Sequence, residues 1–338
     1  MLEKAYIIAE AGVNHNGDIS IAKELIKKAK EAGADCVKFQ TFKAEQIVTK
    51  TSPKAKYQLK VTDKAESQFE MLKKLEMDFS GYLKLVNYCK EVGIDFMSTP
   101  YNKEDVDFLE ELGVDSYKIA SGQLTEIPFL KYVAKKKKQI YLSTGMGTIG
   151  DVFEAVEAIR GEGNTQLTVL QCTTNYPSRI EDANILAMNG IKEACDVEVG
   201  YSDHVTNNYA CYAAVALGAK VIEKHLTIDK SLEGPDHSCS LTPAEFKDMV
   251  VGIRNIELAL GSKIKKPSQV EIENSKGMKR GLVVLQDLPK GAVLTEDLIG
   301  FKRPLKGVPI NMLDQVIGKK ISKEMHTDDS IDFDCIIW

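Results

Sequence analysis

The chain has no Cys-x-x-Cys pair, although it contains 7 cysteines. They stand singly at Cys36, Cys89, Cys172, Cys195, Cys211, Cys239 and Cys335. An odd, scattered set argues against a disulfide framework and leads to the expectation of reduced thiols in the cytoplasm. Long apolar runs are missing too. No stretch approaches the ~18 residues of a spanning helix, so no membrane role is expected. Met1-Leu-Glu-Lys4 runs straight into the first strand, so no secretory leader is expected. Basic charge is in deficit. A net charge of −5 removes the general electrostatic case for nucleic acid or an anionic membrane. A basic pocket inside an acidic shell stays compatible with that balance. Histidine is scarce, with 5 in 338 residues, yet His204, His225 and His237 all fall between Gly200 and Ser240.

What is present is a repeating grammar. Charged residues are 28% and hydrophobic residues 43%, ordinary for a globular chain. Its length suits one large domain plus a small one. Ala5–Glu10 is a short apolar run ending in an acid. Asp18 can cap a helix from about Ile19 to Ala32, and Gly33 stops it. Asp35–Gln40 then reads as a second strand. Helix, glycine and short apolar strand recur. Strands are expected at 94–99, 116–119, 139–143, 167–170, 197–200 and 220–223. Most crossovers between them read as helices, while 182–194 is less regular. Eight such units over about 260 residues match a (β/α)₈ barrel, typically about 250 residues. A doubly wound open sheet is the competing fold. It normally carries a glycine-rich phosphate turn after its first strand, where this chain has Glu10 and Asn14-His15-Asn16.

Two segments break the grammar. Residues 41–79 form an oversized excursion after the second strand, and such excursions on an active face are usually lids or binding segments. Residues 262–278 are polar without a clear pattern and read as a linker. They divide a barrel at 1–261 from a small module at 279–338. In that module short strands are expected at 281–285, 289–294, 301–304 and 316–319.

Barrel strands aim their C-terminal ends at one mouth, where barrel enzymes place their chemistry. The polar residues at those ends include Glu10, Lys38, Gln40, Ser98, Thr99, Lys118, Ser121, Ser143, Thr144, Thr173, Thr174, Ser202, His204, Glu223 and His225. Two lysines and a ring of hydroxyls suit a multiply charged anion, such as a phosphate with a carboxylate. Glu10 and Asp236 are candidate bases. His204 and His225 end consecutive strands, so their rings can meet and hold a metal, with water completing the shell. Plainer roles exist for each. A mouth lysine can serve only to pair with an acid, strand-end Ser and Thr can cap helices, and His15 and His237 suit hydrogen-bond networks.

At these residues the chain resembles the N-acetylneuraminate (sialic acid) synthase family. Nine stretches carry the likeness in order: Ile8–Gly17, Val37–Thr41, Ser98–Pro100, Lys118–Gly122, Ser143–Met146, Tyr176-Pro177, Tyr201–His204, Glu223–His225 and Gly234–His237. The C-terminal module resembles that family's antifreeze-like (SAF) domain, around Lys302-Arg-Pro304. The resemblance implies condensation of phosphoenolpyruvate with an N-acetylated hexosamine and water, releasing phosphate. It implies a divalent metal on His204 and His225, with Mn²⁺ first and Mg²⁺ or Co²⁺ as alternatives. It assigns Lys38, Thr99, Lys118, Ser121, Ser143 and Ser202 to phosphoenolpyruvate. Glu10 matches the acid that handles water, and Asp236, Gln40 and Tyr176 match sugar contacts. Thr174 stands where some relatives have an asparagine. Arg303 matches an arginine that reaches the partner's barrel, implying a domain-swapped homodimer. The expected product is N-acetylneuraminate. The alternative is N,N'-diacetyllegionaminate, made from 2,4-diacetamido-2,4,6-trideoxymannose. A structural or ice-binding role, or sugar binding without turnover, would leave the mouth residues unused, and phosphate release separates both from an enzyme.

Overall fold

A computed structural model describes residues 4–55, 58–63 and 65–338. Eight parallel strands close into a barrel in chain order, which excludes the open sheet. They are β1 Tyr6–Gly12, β2 Cys36–Thr41, β3 Asp95–Pro100, β4 Ser116–Ile119, β5 Gln139–Ser143, β6 Leu167–Cys172, β7 Glu198–Asp203 and β8 Val221–His225. β8 pairs back onto β1, setting Ile8 beside Glu223 and Glu10 beside His225.

Side chains alternate between the two faces of each strand, and this period builds the interior in layers. Ile8, Cys36, Met97, Leu170 and Val221 form one buried apolar plug, with Tyr6 and Tyr141 packed against it. Two residues further along those strands stand Glu10, Lys38, Thr99, Cys172 and Glu223. The polar layer thus sits on an apolar floor that admits no water from below. The outward faces supply Ile7, Val37, Phe39, Ile140 and Ile222 to a larger core beneath the helices.

Helix Ile19–Glu31 shows the local logic. Asp18 accepts a hydrogen bond from Ser20 N at 2.6 Å, and Leu25, Ile26 and Ala29 are buried on one side. Full burial of one such Leu or Ile stabilises by about 1.5–3 kcal/mol. Gly33, at φ +89°, turns the chain out of the helix. The segment expected to be less regular holds a helix, Ala187–Cys195, whose Met188, Ile191 and Cys195 are buried. Packing there overrides the weak helix propensity of Asn189 and Gly190.

The excursion after β2 carries three helices, Ala44–Ile47, Gln58–Val61 and Gln68–Leu75. Ser67 and Glu70 cap the last one reciprocally. The buried Lys54 braces the middle, donating to Thr62 Oγ1 at 3.0 Å and Asp63 O at 2.7 Å and pairing with Glu66 at 2.8 Å.

The chain divides into two compact units, Met1–Gly261 and Ser262–Trp338. The polar stretch read as a linker contains a helix, Gln269–Met278, capped by Ser268 and burying no residue. Beyond it Gly281–Val284 pairs antiparallel with Ile299–Lys302, and Lys320–Ile321 with Ile336–Ile337. Leu282, Val284, Leu294, Val316, Ile321 and Ile331 join in this unit's own core. The strands expected at 289–294 and 316–319 do not form. Pro289 has no N–H to give a ladder, and Ala292 N turns back to its carbonyl at 3.0 Å. The second stretch is the end of a short helix, Leu313–Val316, followed by Gly318 at φ +84°.

Candidate active site

A cavity of about 320 Å³ opens at the C-terminal ends of the strands. Its floor is a chain of charges. Lys38 Nζ lies 2.8 Å from Glu10 Oε2, 2.8 Å from Thr99 Oγ1 and 3.4 Å from Glu223 Oε1. Glu223 Oε2 lies 3.3 Å from Lys118 Nζ, which donates to Ser143 Oγ at 2.7 Å. On the other side Gln40 Nε2 donates to Glu10 Oε1 at 3.3 Å, and Tyr101 OH donates to Gln40 Oε1 at 3.1 Å. Glu10, Lys38, Lys118 and Glu223 are each at most 4% exposed. Charges so buried persist only when paired.

The two carboxyls respond in opposite directions. Burial pushes Glu10 up to about 7, against the pull of Lys38 and with the help of the Glu223 charge. Burial also raises Glu223, but Lys118 and Lys38 outweigh it and hold this group well below the carboxylate range. One acid therefore stays charged between two lysines while the other can exchange a proton near neutral pH, as acid–base work requires. Burial lifts Asp236 to about 6, against His204 and Lys38.

His204 and His225 face each other with ring centroids 5.4 Å apart. His204 Nδ1 lies 2.8 Å from Thr173 O. A carbonyl can only accept, so Nδ1 carries a proton, and in the neutral ring Nε2 then keeps its lone pair. His225 Nδ1 is buried and has no hydrogen-bond partner among the described residues. Free imidazole lone pairs on facing rings fit a divalent metal. No third His, Cys, Asp or Glu among the described residues joins them, so water or substrate oxygens would fill the shell. The Tyr176 ring lies 4.2 Å from that of His204.

Behind β7 and β8 the buried Lys224 donates to Asp203 and to the carbonyls of Val205 and Asn207. Asp203 also accepts from Tyr201 OH and Val205 N, each at 2.9 Å. This cluster pins the turn that follows His204. Across the seam, Asn14 Nδ2 donates to Leu226 O and Ser240 Oγ at 2.9 Å each, and Ser240 Oγ donates to Asp236 O at 2.6 Å. The loop after β8 is thus tied to the loop after β1.

Twelve of the thirteen residues given a site role in the sequence line this one cavity: Glu10, Lys38, Gln40, Thr99, Lys118, Ser121, Ser143, Tyr176, Ser202, His204, His225 and Asp236. Arg303 does not. It lines a separate cavity of about 460 Å³ in the C-terminal unit, with Lys279 and Arg280. Sequence reasoning gave no role to Glu223, the bridge between the lysines. Its position two residues before His225 on one strand was the available clue, since both must face inward. Cys172, with Sγ 3.9 Å from His204 Nδ1, was missed as well.

A NeuB family profile matches residues 25–265 and a SAF domain profile matches residues 279–337. The chain belongs to the NeuB family. It is 44% identical to an N,N'-diacetyllegionaminic acid synthase of Campylobacter jejuni, over 98% of this chain and 99% of that one. A Legionella pneumophila protein of the same name is 42% identical, over 95% and 91% of the two chains. Human N-acetylneuraminate-9-phosphate synthase is 36% identical, over 96% and 91%. The chain is accordingly an enzyme of the sialic and nonulosonic acid synthase class. No helix among the described residues is long and apolar enough to cross a membrane.

Proposed function

We propose that this enzyme is an N,N'-diacetyllegionaminate synthase. It condenses phosphoenolpyruvate with 2,4-diacetamido-2,4,6-trideoxymannose and water, releasing phosphate. The observation that carries this reading is the 44% and 42% identity to two synthases of that name, against 36% to the N-acetylneuraminate-9-phosphate synthase. The order of products expected from the sequence is thereby reversed.

Lys38 and Lys118, with Thr99, Ser121, Ser143 and Ser202, hold the phosphate and carboxylate of phosphoenolpyruvate. Glu223 stays ionised between the lysines and keeps both ammonium groups aimed into the cavity. His204 and His225 would hold a divalent cation, Mn²⁺ first, with Mg²⁺ or Co²⁺ as alternatives. When bound, such an ion polarises the sugar's aldehyde oxygen as a Lewis acid. Asp236, Gln40 and Tyr176 orient the sugar so that its aldehyde carbon meets C3 of phosphoenolpyruvate. Water then adds at C2, and Glu10 takes its proton, a role supported by its rise towards neutral pH. The apolar plug below the charges keeps bulk water out, so hydrogen bonds and charges act at low dielectric.

The working form is a domain-swapped homodimer in which Arg303 serves the partner's barrel. The family resemblance supports it, as does the basic setting of Arg303 beside Lys279 and Arg280. Seven free, buried cysteines fit the reducing cytoplasm. The function is tested by comparing kcat/KM for the diacetamido sugar and N-acetylmannosamine, following phosphate release and product mass. A preference of about tenfold or more for the diacetamido sugar is expected. A preference for N-acetylmannosamine overturns the reading.

A further inference from the structure

The cavity has a second side that the chemistry above does not use. Ile47, Val48, Gln58, Gln68, Met71 and Leu72, all from the excursion after β2, line it alongside the catalytic floor. They bring aliphatic surface and two carboxamides, and no charge. Met71 belongs to a small apolar cluster with Val13, Phe42 and Leu75, against which Ile47 and Leu72 pack, so this wall is built rather than incidental.

Gln58 is oriented by its neighbours. Its Oε1 accepts from Ala55 N at 2.9 Å, and its backbone carbonyl accepts from Thr62 Oγ1 at 2.8 Å. A backbone N–H can only donate, so the carboxamide oxygen must face Ala55. With its oxygen committed to Ala55, the mostly buried Gln58, which lines the cavity, has its NH₂ end left to offer a ligand. An oriented donor in the cavity wall beside aliphatic carbon matches an amide carbonyl attached to a methyl group.

We propose that this wall reads the far end of the sugar, with Gln58 donating to the 4-acetamido carbonyl and with Ile47, Met71 and Leu72 packing against its methyl and the C6 methyl. This rests on the diacetamido reading above. A sugar with hydroxyls at carbons 4 and 6 would set them against aliphatic surface, where they lose hydration without a partner. The floor handles reactions common to any such aldehyde, whereas the wall discriminates between sugars.

The test measures the ratio of kcat/KM for the diacetamido sugar to that for N-acetylmannosamine, at saturating phosphoenolpyruvate. Gln58→Glu keeps the acceptor for Ala55 N but replaces the free NH₂ with an oxygen. The ratio is expected to fall by about 10- to 100-fold. Leu72→Gln, at a partly exposed position, is expected to lower it by about tenfold and carries the test if the first variant does not fold. If the wild type prefers the diacetamido sugar and the ratio stays within about twofold in the folded variants, the wall has no reading role and the function stands. If the wild type prefers N-acetylmannosamine, the functional reading falls and the acetamido assignment of Gln58 falls with it.

Discussion

Glu10 and Lys38 face each other across the first pair of barrel strands, joined at 2.8 Å and sealed from solvent. The register pairs their Cα atoms directly. The ammonium group keeps the neighbouring carboxyl partly ionised despite burial, and Glu10→Gln removes that charge while keeping the shape. A lost general base typically costs ~10²–10⁴-fold in rate. That loss is expected in kcat, with the KM for phosphoenolpyruvate nearly unchanged. An unchanged kcat in steady-state phosphate release would remove Glu10 from the chemistry.

The facing imidazoles make a metal prediction. Chelation should abolish turnover and Mn²⁺ should restore it. His204→Ala or His225→Ala should lower kcat/KM by about 10³-fold or more, the equivalent of several kcal/mol of Lewis-acid stabilisation. Calorimetry should also show Mn²⁺ binding lost in the double variant. Normal turnover by that variant would refute the assignment.

Gly12 ends β1 at φ +53°, where its register against β2 slips. An added Cβ would stand 3.2 Å from Glu10 Oε1 and 3.4 Å from Gln40 Nε2. Gly12→Ala should therefore cost about 1–2 kcal/mol through the left-handed backbone alone, and displace the Glu10 carboxyl besides. A lowered melting temperature together with a lowered kcat is the expected pair of results.

His15 supplies a pH dependence. Burial, then the nearby His237, lowers its pKa to about 4, and burial lowers His237 likewise to about 4. His15 Nδ1 accepts from Gly17 N at 3.0 Å, which the neutral ring permits. The unfolded chain takes up these protons near pH 6.5, earlier than the folded one. Stability is thus fully present above about pH 6.5 and is lost as pH falls towards 4, by about 3 kcal/mol for His15. Urea melts at pH 8, 6 and 4.5 should show this decline, and His15→Asn should make it shallower.

Arg303 allows a mixing test. Arg303→Ala should raise the KM of the sugar by about 10- to 100-fold, as for a lost hydrogen bond from a charged group. At a sugar concentration well below that raised KM, Glu10→Gln and Arg303→Ala subunits, each impaired alone, should recover part of the activity when exchanged. One of the two sites then holds an intact Glu10 and an intact Arg303. No recovery, with exchange shown independently, would mean that Arg303 does not act across subunits.

The barrel was legible because each strand is a short apolar run ending in a polar residue, with glycines such as Gly33 closing the helices between. The facing of His204 and His225 followed from their places at the ends of adjacent strands. Glu223 was visible at a strand end, but its role depends on two lysines from β2 and β4, which only barrel closure brings together. The wall was illegible for another reason. Within residues 41–79 only Gln68–Leu75 carries a helical signal, with Ser67 and Glu70 as its cap and Met71 and Leu75 one turn apart. Neither that signal nor the rest of the spacing aims Gln58 or Leu72 at the mouth. In the C-terminal unit the strands are two to four residues long, too short for alternation to separate them from turns.

The floor and the wall come from different parts of the chain. The floor is assembled from side chains on eight strands, each constrained by its neighbours in the ladder. The wall is borne by one contiguous insertion with its own braces at Lys54 and Ser67. Preference for a sugar is therefore transplantable: grafting residues 42–78 from a relative of different appetite would exchange the menu without rewriting the reaction. In a lineage, a single recombination within that segment could change which sugar the enzyme accepts while every strand-borne group stayed in place.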